Sequence, residues 1–185
     1  MTSHLISLIE NRGETIKQSR PSDPTCPFCG IINDGDPAHI AFENEDVIAI
    51  LDILPISRGH TLVIPKAHHE KVSDLPDAIG ASIGRVLPRI ARAVCRAIKT
   101  LEGGSEEAML AEDHSFNVVS NSGHLQVVPH VHFHIVVAPA YGKTSRKWKK
   151  PADFVMGGRA ELNEQDGTLV ARTIREAIAA EESKL

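Results

Sequence analysis

The chain has 185 residues, 42% of them hydrophobic and 24% charged, a composition typical of globular domains and long enough to bury one core. Twenty Lys and Arg against 24 Asp and Glu leave a formal charge of −4, which excludes a global basic field for a long nucleic acid. Five Phe, one Trp and one Tyr leave few platforms for stacking successive bases.

Ten histidines are the compositional excess, and the three cysteines include a Cys26-x-x-Cys29 pair. Three cysteines are too few for a disulfide framework, so they point to metal or redox chemistry in a reducing compartment. The first residues lack the basic start and small-residue cleavage site of a signal peptide, and no apolar run approaches 18 residues. The expectation is a cytoplasmic or nuclear protein without a membrane partner.

In chain order, Pro21, Ser22, Asp23 and Pro24 close an N-terminal extension over 1–24. Ile40–Phe42 and Val47–Leu51, separated by Glu43, Asn44, Glu45 and Asp46, read as a hairpin, and His60–Ile64 as a third strand. After Asp74, a candidate N-cap, apolar residues recur from Leu75 to Leu101 with helical period, stopped by Gly103 and Gly104 and expected to kink at Pro88. Arg85, Arg89, Arg92, Arg96 and Lys99 fall off that stripe and read as a solvated face, with Cys95 an ordinary helix residue. Phe116–Ser120 and Val131–Val137 give two more strands, and a helical tail from about 161 to 182 follows the basic stretch Lys143 to Lys150 around Trp148. The division expected is an extension over 1–24, a domain over 25–141, and a basic segment with a tail over 142–185.

His130-Val131-His132-Phe133-His134-Ile135-Val136 is the most informative segment. Strand alternation would place three imidazoles on one face, ~6.6–6.8 Å apart along the backbone, with Val131, Phe133 and Ile135 behind them. Three histidines in register suit either a metal cage or a set of imidazoles addressing phosphate, since one ring can attack while a neighbour donates a proton.

This triad resembles the signature of the histidine-triad (HIT) superfamily of nucleotide-processing enzymes. Cys26-Pro-Phe-Cys29-Gly-Ile-Ile, Leu51-Asp52-Ile53, Gly59-His60-Thr-Leu-Val-Ile-Pro65-Lys66 and Asn121-x-Gly123-x-x-Gln126 look like the corresponding blocks of its Hint branch, over residues 26–141. The resemblance implies an α+β fold, an antiparallel sheet of about five strands with a long amphipathic helix on one face. It implies that His132 attacks the α-phosphorus to form a covalent nucleotidyl-histidine, a displacement split into two steps. His134 would bind the phosphate, His130 would hold its neighbour in position, and His60 would complete the polar wall.

The same resemblance gives Asp52 the ribose hydroxyls. It gives Phe28, Ile31, Ile40 and Ile53 the purine, although each could be ordinary core, and it sets Asn121 and Gln126 near the phosphate and leaving group. Val127 stands where many relatives carry a Ser or Thr, and Asp36 where an apolar residue is common.

Cys26 and Cys29 can supply two thiolates to a tetrahedral zinc. Zinc-containing relatives add the positions of His68 and His130, with His69 the nearest competitor for His68; a thioredoxin-like redox reading lacks its βαβ setting. The implied function is hydrolysis of the P–N bond of adenosine 5′-phosphoramidates, with AMP or GMP and their phosphoramidates as partners, structural zinc as cofactor and a homodimer as assembly. Dinucleoside polyphosphate hydrolysis and a non-catalytic purine-nucleotide-binding module are the alternatives. A zinc hydrolase using His130, His132 and His134 as ligands is weaker, because the cysteine pair already offers a metal site.

Overall fold

A computed structural model describes residues 21–104, 115–137, 159 and 161–183. The stretch 143–150, with the basic residues around Trp148, lies outside these described residues.

Five strands, β1 (Ile40–Glu43), β2 (Val47–Leu51), β3 (Thr61–Pro65), β4 (Phe116–Val119) and β5 (Phe133–Val137), form one antiparallel sheet in the order β1-β2-β3-β5-β4. The hairpin at Glu43–Asp46 is closed by the Asn44 side chain, whose Oδ1 accepts from the amides of Asp46 and Val47. A short helical turn, Pro27–Cys29, runs on into a π-helical turn, Gly30–Asp34. No helix among the described residues is long and apolar enough to cross a membrane.

Both faces of the sheet are covered, which is why every residue of β2 and β3 is buried. On one face Ala41, Val47, Ala49, Leu51, Val63 and Ile135 pack against two helices, α1 (Asp77–Leu101) and α2 (Glu164–Glu182). On the other, Ile48, Ile50, Leu62 and Ile64 pack against Cys26, Phe28 and Cys29. The α+β sheet-and-helix architecture expected from the sequence is therefore present.

Two details differ from the sequence expectations. Val72–Asp74 form a 3₁₀ turn and α1 begins at Asp77 behind Pro76, because the residue before a proline is pushed out of the helical region, and Leu75 is extended at ψ 129°. The helix then continues unbroken through Pro88, which has no N–H to donate to the Gly84 carbonyl.

The arginine face of α1 is not simply solvated. Arg92 and Arg96 pair with Glu181, Arg89 pairs with Glu182, and the Arg89 guanidinium lies 5.2 Å from the Phe42 ring centre. These charges join α1 to α2, whose Val170, Ala171, Ile174 and Ile178 are buried in the shared core. The segment after 142 thus adds a helix to the core that the preceding strands build. Its start is capped by Asn163, whose Oδ1 accepts from the amides of Gln165 and Asp166.

Candidate active site and metal centre

The triad does not behave as one face of a continuous strand. β5 begins only at Phe133, so His130 and His132 precede the ladder and their rings diverge from simple alternation. The His130 ring turns toward the cysteines, with Nδ1 3.4 Å from Cys26 Sγ and 3.8 Å from Cys29 Sγ, and Cys29 Sγ is 3.4 Å from His68 Nδ1. The His132 and His134 rings stay together with their centres 4.9 Å apart, and His134 meets His60.

The four donors Cys26, Cys29, His68 and His130 all lie within 4.8 Å of one another. Ligands ~2.0–2.3 Å from one tetrahedral zinc sit ~3.3–3.8 Å apart, so the three closest sulfur–nitrogen separations already match tetrahedral edges. His130 Nε2 lies 2.9 Å from the Pro65 carbonyl. A carbonyl only accepts, so Nε2 carries the proton and the Nδ1 lone pair points at the thiols, the arrangement expected of a metal-ligating histidine. Burial pushes the Cys26 thiol up, a cost that a divalent cation would offset. The residues therefore fit zinc, which would tie the turn at Cys26–Cys29 to the segment before β5. His69 is not in the cluster; its carbonyl instead accepts from the Val131 amide at 2.7 Å. Cys95 is buried in α1, where burial raises its thiol to about 11.

His132 is 5% exposed, and its Nδ1 is 2.6 Å from the His130 carbonyl. Nδ1 therefore donates, and Nε2 keeps its lone pair. His60 is placed by Gly59, which has φ +80° and packs so close to α1 that a Cβ there would meet Ile98 Cδ1 at 2.6 Å. His60 Nδ1 accepts from the Ile56 amide at 3.2 Å, so its Nε2–H donates to His134 Nδ1 at 2.9 Å. His134 is then left with an Nε2–H donor.

Burial, reinforced for both rings by the Arg159 guanidinium, pushes His60 down to about 3 and His134 down to about 4. Both rings are neutral at neutral pH, so the 3.3 Å approach of Asp52 Oδ2 to His60 Nδ1 is not an ion pair there. Asp52, His60 and His134 also bring their donor atoms within 4.8 Å of one another. Both His60 ring nitrogens and His134 Nδ1 are already committed to the Ile56–His60–His134 chain of hydrogen bonds, so the cysteine set is the better candidate metal centre.

The other expected residues divide by placement. Phe28, Ile31 and Ile40 share one apolar cluster, and the Phe28 ring stands edge-on to His132 with centres 5.3 Å apart. Ile53 is 71% exposed. Asp52 is nearly buried, and its Oδ1 accepts from the Leu54 amide at 2.8 Å. Gln126 braces its own loop, its Oε1 accepting from the Gly123 amide and its Nε2 donating to the carbonyls of Glu70 and His130. Asn121 is half-buried beyond the end of β4, and Val127 is 92% exposed.

Arg159 escaped the sequence reading, since it lies beyond the motif blocks. It is exposed, yet its charge acts on Asp52, His60 and His134.

Against known proteins, the HIT domain family model matches residues 34–140, more than half of the chain. An uncharacterized HIT-like protein of Methanocaldococcus jannaschii is 38% identical over 60% of this chain and 77% of its own. The adenosine 5′-monophosphoramidase of Saccharomyces cerevisiae is 35% identical over 66% of this chain and 69% of its own. The crystal structure of a zinc-bound histidine triad family protein from Mycobacterium smegmatis superimposes with a TM-score of 0.62 at 32% identity, covering 87% of this chain and 98% of that one. With the sheet, the triad and the paired cysteines in place, the chain belongs to the HIT family.

Proposed function

We propose that this HIT-family nucleotide hydrolase cleaves the phosphorus–nitrogen bond of adenosine 5′-phosphoramidates, releasing AMP and an amine. The observation that carries the reading is the His132 tautomer: Nδ1–H is held by the His130 carbonyl, which leaves the Nε2 lone pair free to attack phosphorus. Nε2 forms a bond to the α-phosphorus as the phosphorus–nitrogen bond breaks, and the amine departs with the bonding pair and a proton taken from solvent water. Water then attacks phosphorus, the bond to Nε2 breaks, and the proton is returned, so the two steps sum to one water added across the original bond. The His134 Nε2–H donates to a non-bridging phosphoryl oxygen, and His60 keeps that donor oriented through His134 Nδ1.

The purine is assigned to the apolar side formed by Phe28, Ile31 and Ile40, and the ribose hydroxyls to Asp52. The yeast relative named adenosine 5′-monophosphoramidase supports the substrate class. Zinc bound by Cys26, Cys29, His68 and His130 would act structurally. The homodimer is assigned to β4, which ends the sheet order and exposes Phe116, Val118 and Val119. A panel of an adenosine phosphoramidate and diadenosine polyphosphates tests the specificity: preference for the phosphoramidate is expected, and preference for the polyphosphates contradicts it. Binding of AMP with turnover of neither would leave a nucleotide-binding module.

A further inference from the structure

Among the described residues of the sheet and its loops, none places a fixed positive charge in the site just assigned to a phosphoryl anion. His60 and His134 are neutral at neutral pH, and Arg58, on the same loop, is paired with Asp166 through Nε and Nη2. A phosphate dianion or a crowded pentacoordinate phosphorus is poorly served by neutral imidazoles alone.

The chain leading into α2 supplies the missing cation. Leu162 donates its amide to the Ile53 carbonyl at 2.8 Å, and Asp166 in the first turn of α2 holds Arg58. These two ties fasten the start of α2 across the loop from Asp52 to His60. Three residues before Leu162, Arg159 is exposed and has no carboxylate within ion-pair distance among the described residues, while its charge reaches Asp52, His60 and His134. A guanidinium presents a planar fork that matches two phosphate oxygens, and a free one is available to a ligand.

We propose that Arg159, three residues before the tie from Leu162 to Ile53, is a phosphate-binding residue that clamps the non-bridging oxygens of the nucleotide's α-phosphate. The inference rests on the nucleotide hydrolase reading above and extends the site beyond the residues matched by the family model, which stop at 140. It gives the C-terminal helix a role in substrate binding in addition to its place in the core.

The test is calorimetric titration of the full chain with AMP and with adenosine, for the wild type, Arg159→Ala and Arg159→Lys. Arg159→Ala should weaken AMP by about tenfold or more, as loss of charge-assisted hydrogen bonds does. It should leave adenosine unchanged, with Arg159→Lys between the two and the salt dependence of AMP binding reduced. Unchanged AMP binding in Arg159→Ala, or equal weakening of AMP and adenosine, overturns the inference while leaving the hydrolase reading in place. A wild-type chain that binds neither ligand overturns both.

Discussion

His130 serves two centres at once: its ring nitrogen Nδ1 lies 3.4 Å from Cys26 Sγ, and its backbone carbonyl accepts the Nδ1–H of His132 at 2.6 Å. The candidate metal centre and the proposed nucleophile therefore share one residue. Fixing the ring of His130 fixes the carbonyl that sets the His132 tautomer. A second donor to the same carbonyl is Gln126 Nε2 at 3.4 Å.

One zinc per chain is expected, lost together with the thiolates in Cys26→Ser plus Cys29→Ser. Because the four ligands join segments about 100 residues apart in sequence, chelation should lower the melting temperature by several degrees. Elemental analysis finding no zinc in protein prepared without chelators, or zinc kept by the double variant, argues against this centre.

Asp52 is expected to hold the ribose. Asp52→Ala should cost about 1.5–3 kcal/mol for each hydrogen bond lost from a nucleotide. Since Asp52 Oδ1 also receives the Leu54 amide, the comparison that isolates the ribose is AMP against its 2′,3′-dideoxy analogue on the wild type. Equal affinity for the two would mean that Asp52 serves only its loop.

Acid should destabilise the fold through His60 and His134. Both have folded pKa values depressed from the usual 6.5, to about 3 and about 4, so between those values and 6.5 the unfolded chain binds more protons than the native one. Stability is then fully present above about pH 6.5 and falls as the pH drops toward 4. Denaturant titrations at pH 7, 6, 5 and 4 should show the decline, and His60→Asn, if it folds, should show a shallower one. A flat profile across that window would place these rings in water.

Gly59→Ala should destabilise by roughly 1–3 kcal/mol, because φ +80° is strained for alanine and the added methyl would collide with Ile98. Thermal melting reads the loss, and an unchanged melt would mean that the loop before His60 yields easily. The variant should also slow turnover, since the same turn sets His60.

The sheet and α1 were legible because their periods are local: β2 and β3 are compact apolar runs, and the α1 stripe repeats over seven turns. The candidate zinc set was legible through the Cys26–Cys29 spacing and the family resemblance. The split of the triad was not, since alternation assumes an extended backbone from 130 onward, whereas β5 starts at Phe133. Nor was the pairing of Arg89, Arg92 and Arg96 with Glu181 and Glu182, which depends on two helices some 85 residues apart in sequence meeting in space. Arg159 was invisible for the same reason: the ties from Leu162 and Asp166 to the Asp52–His60 loop, which bring the start of α2 to the site, join residues over 100 apart in sequence.

The covalent role of His132 is the central claim, and turnover of an adenosine phosphoramidate by His132→Ala tests it most directly. A covalent nucleotidyl-His132 intermediate requires that the variant fold, still bind AMP and turn over at least roughly a thousandfold more slowly, about 4 kcal/mol of lost transition-state stabilisation. Turnover close to that of the wild type would contradict it.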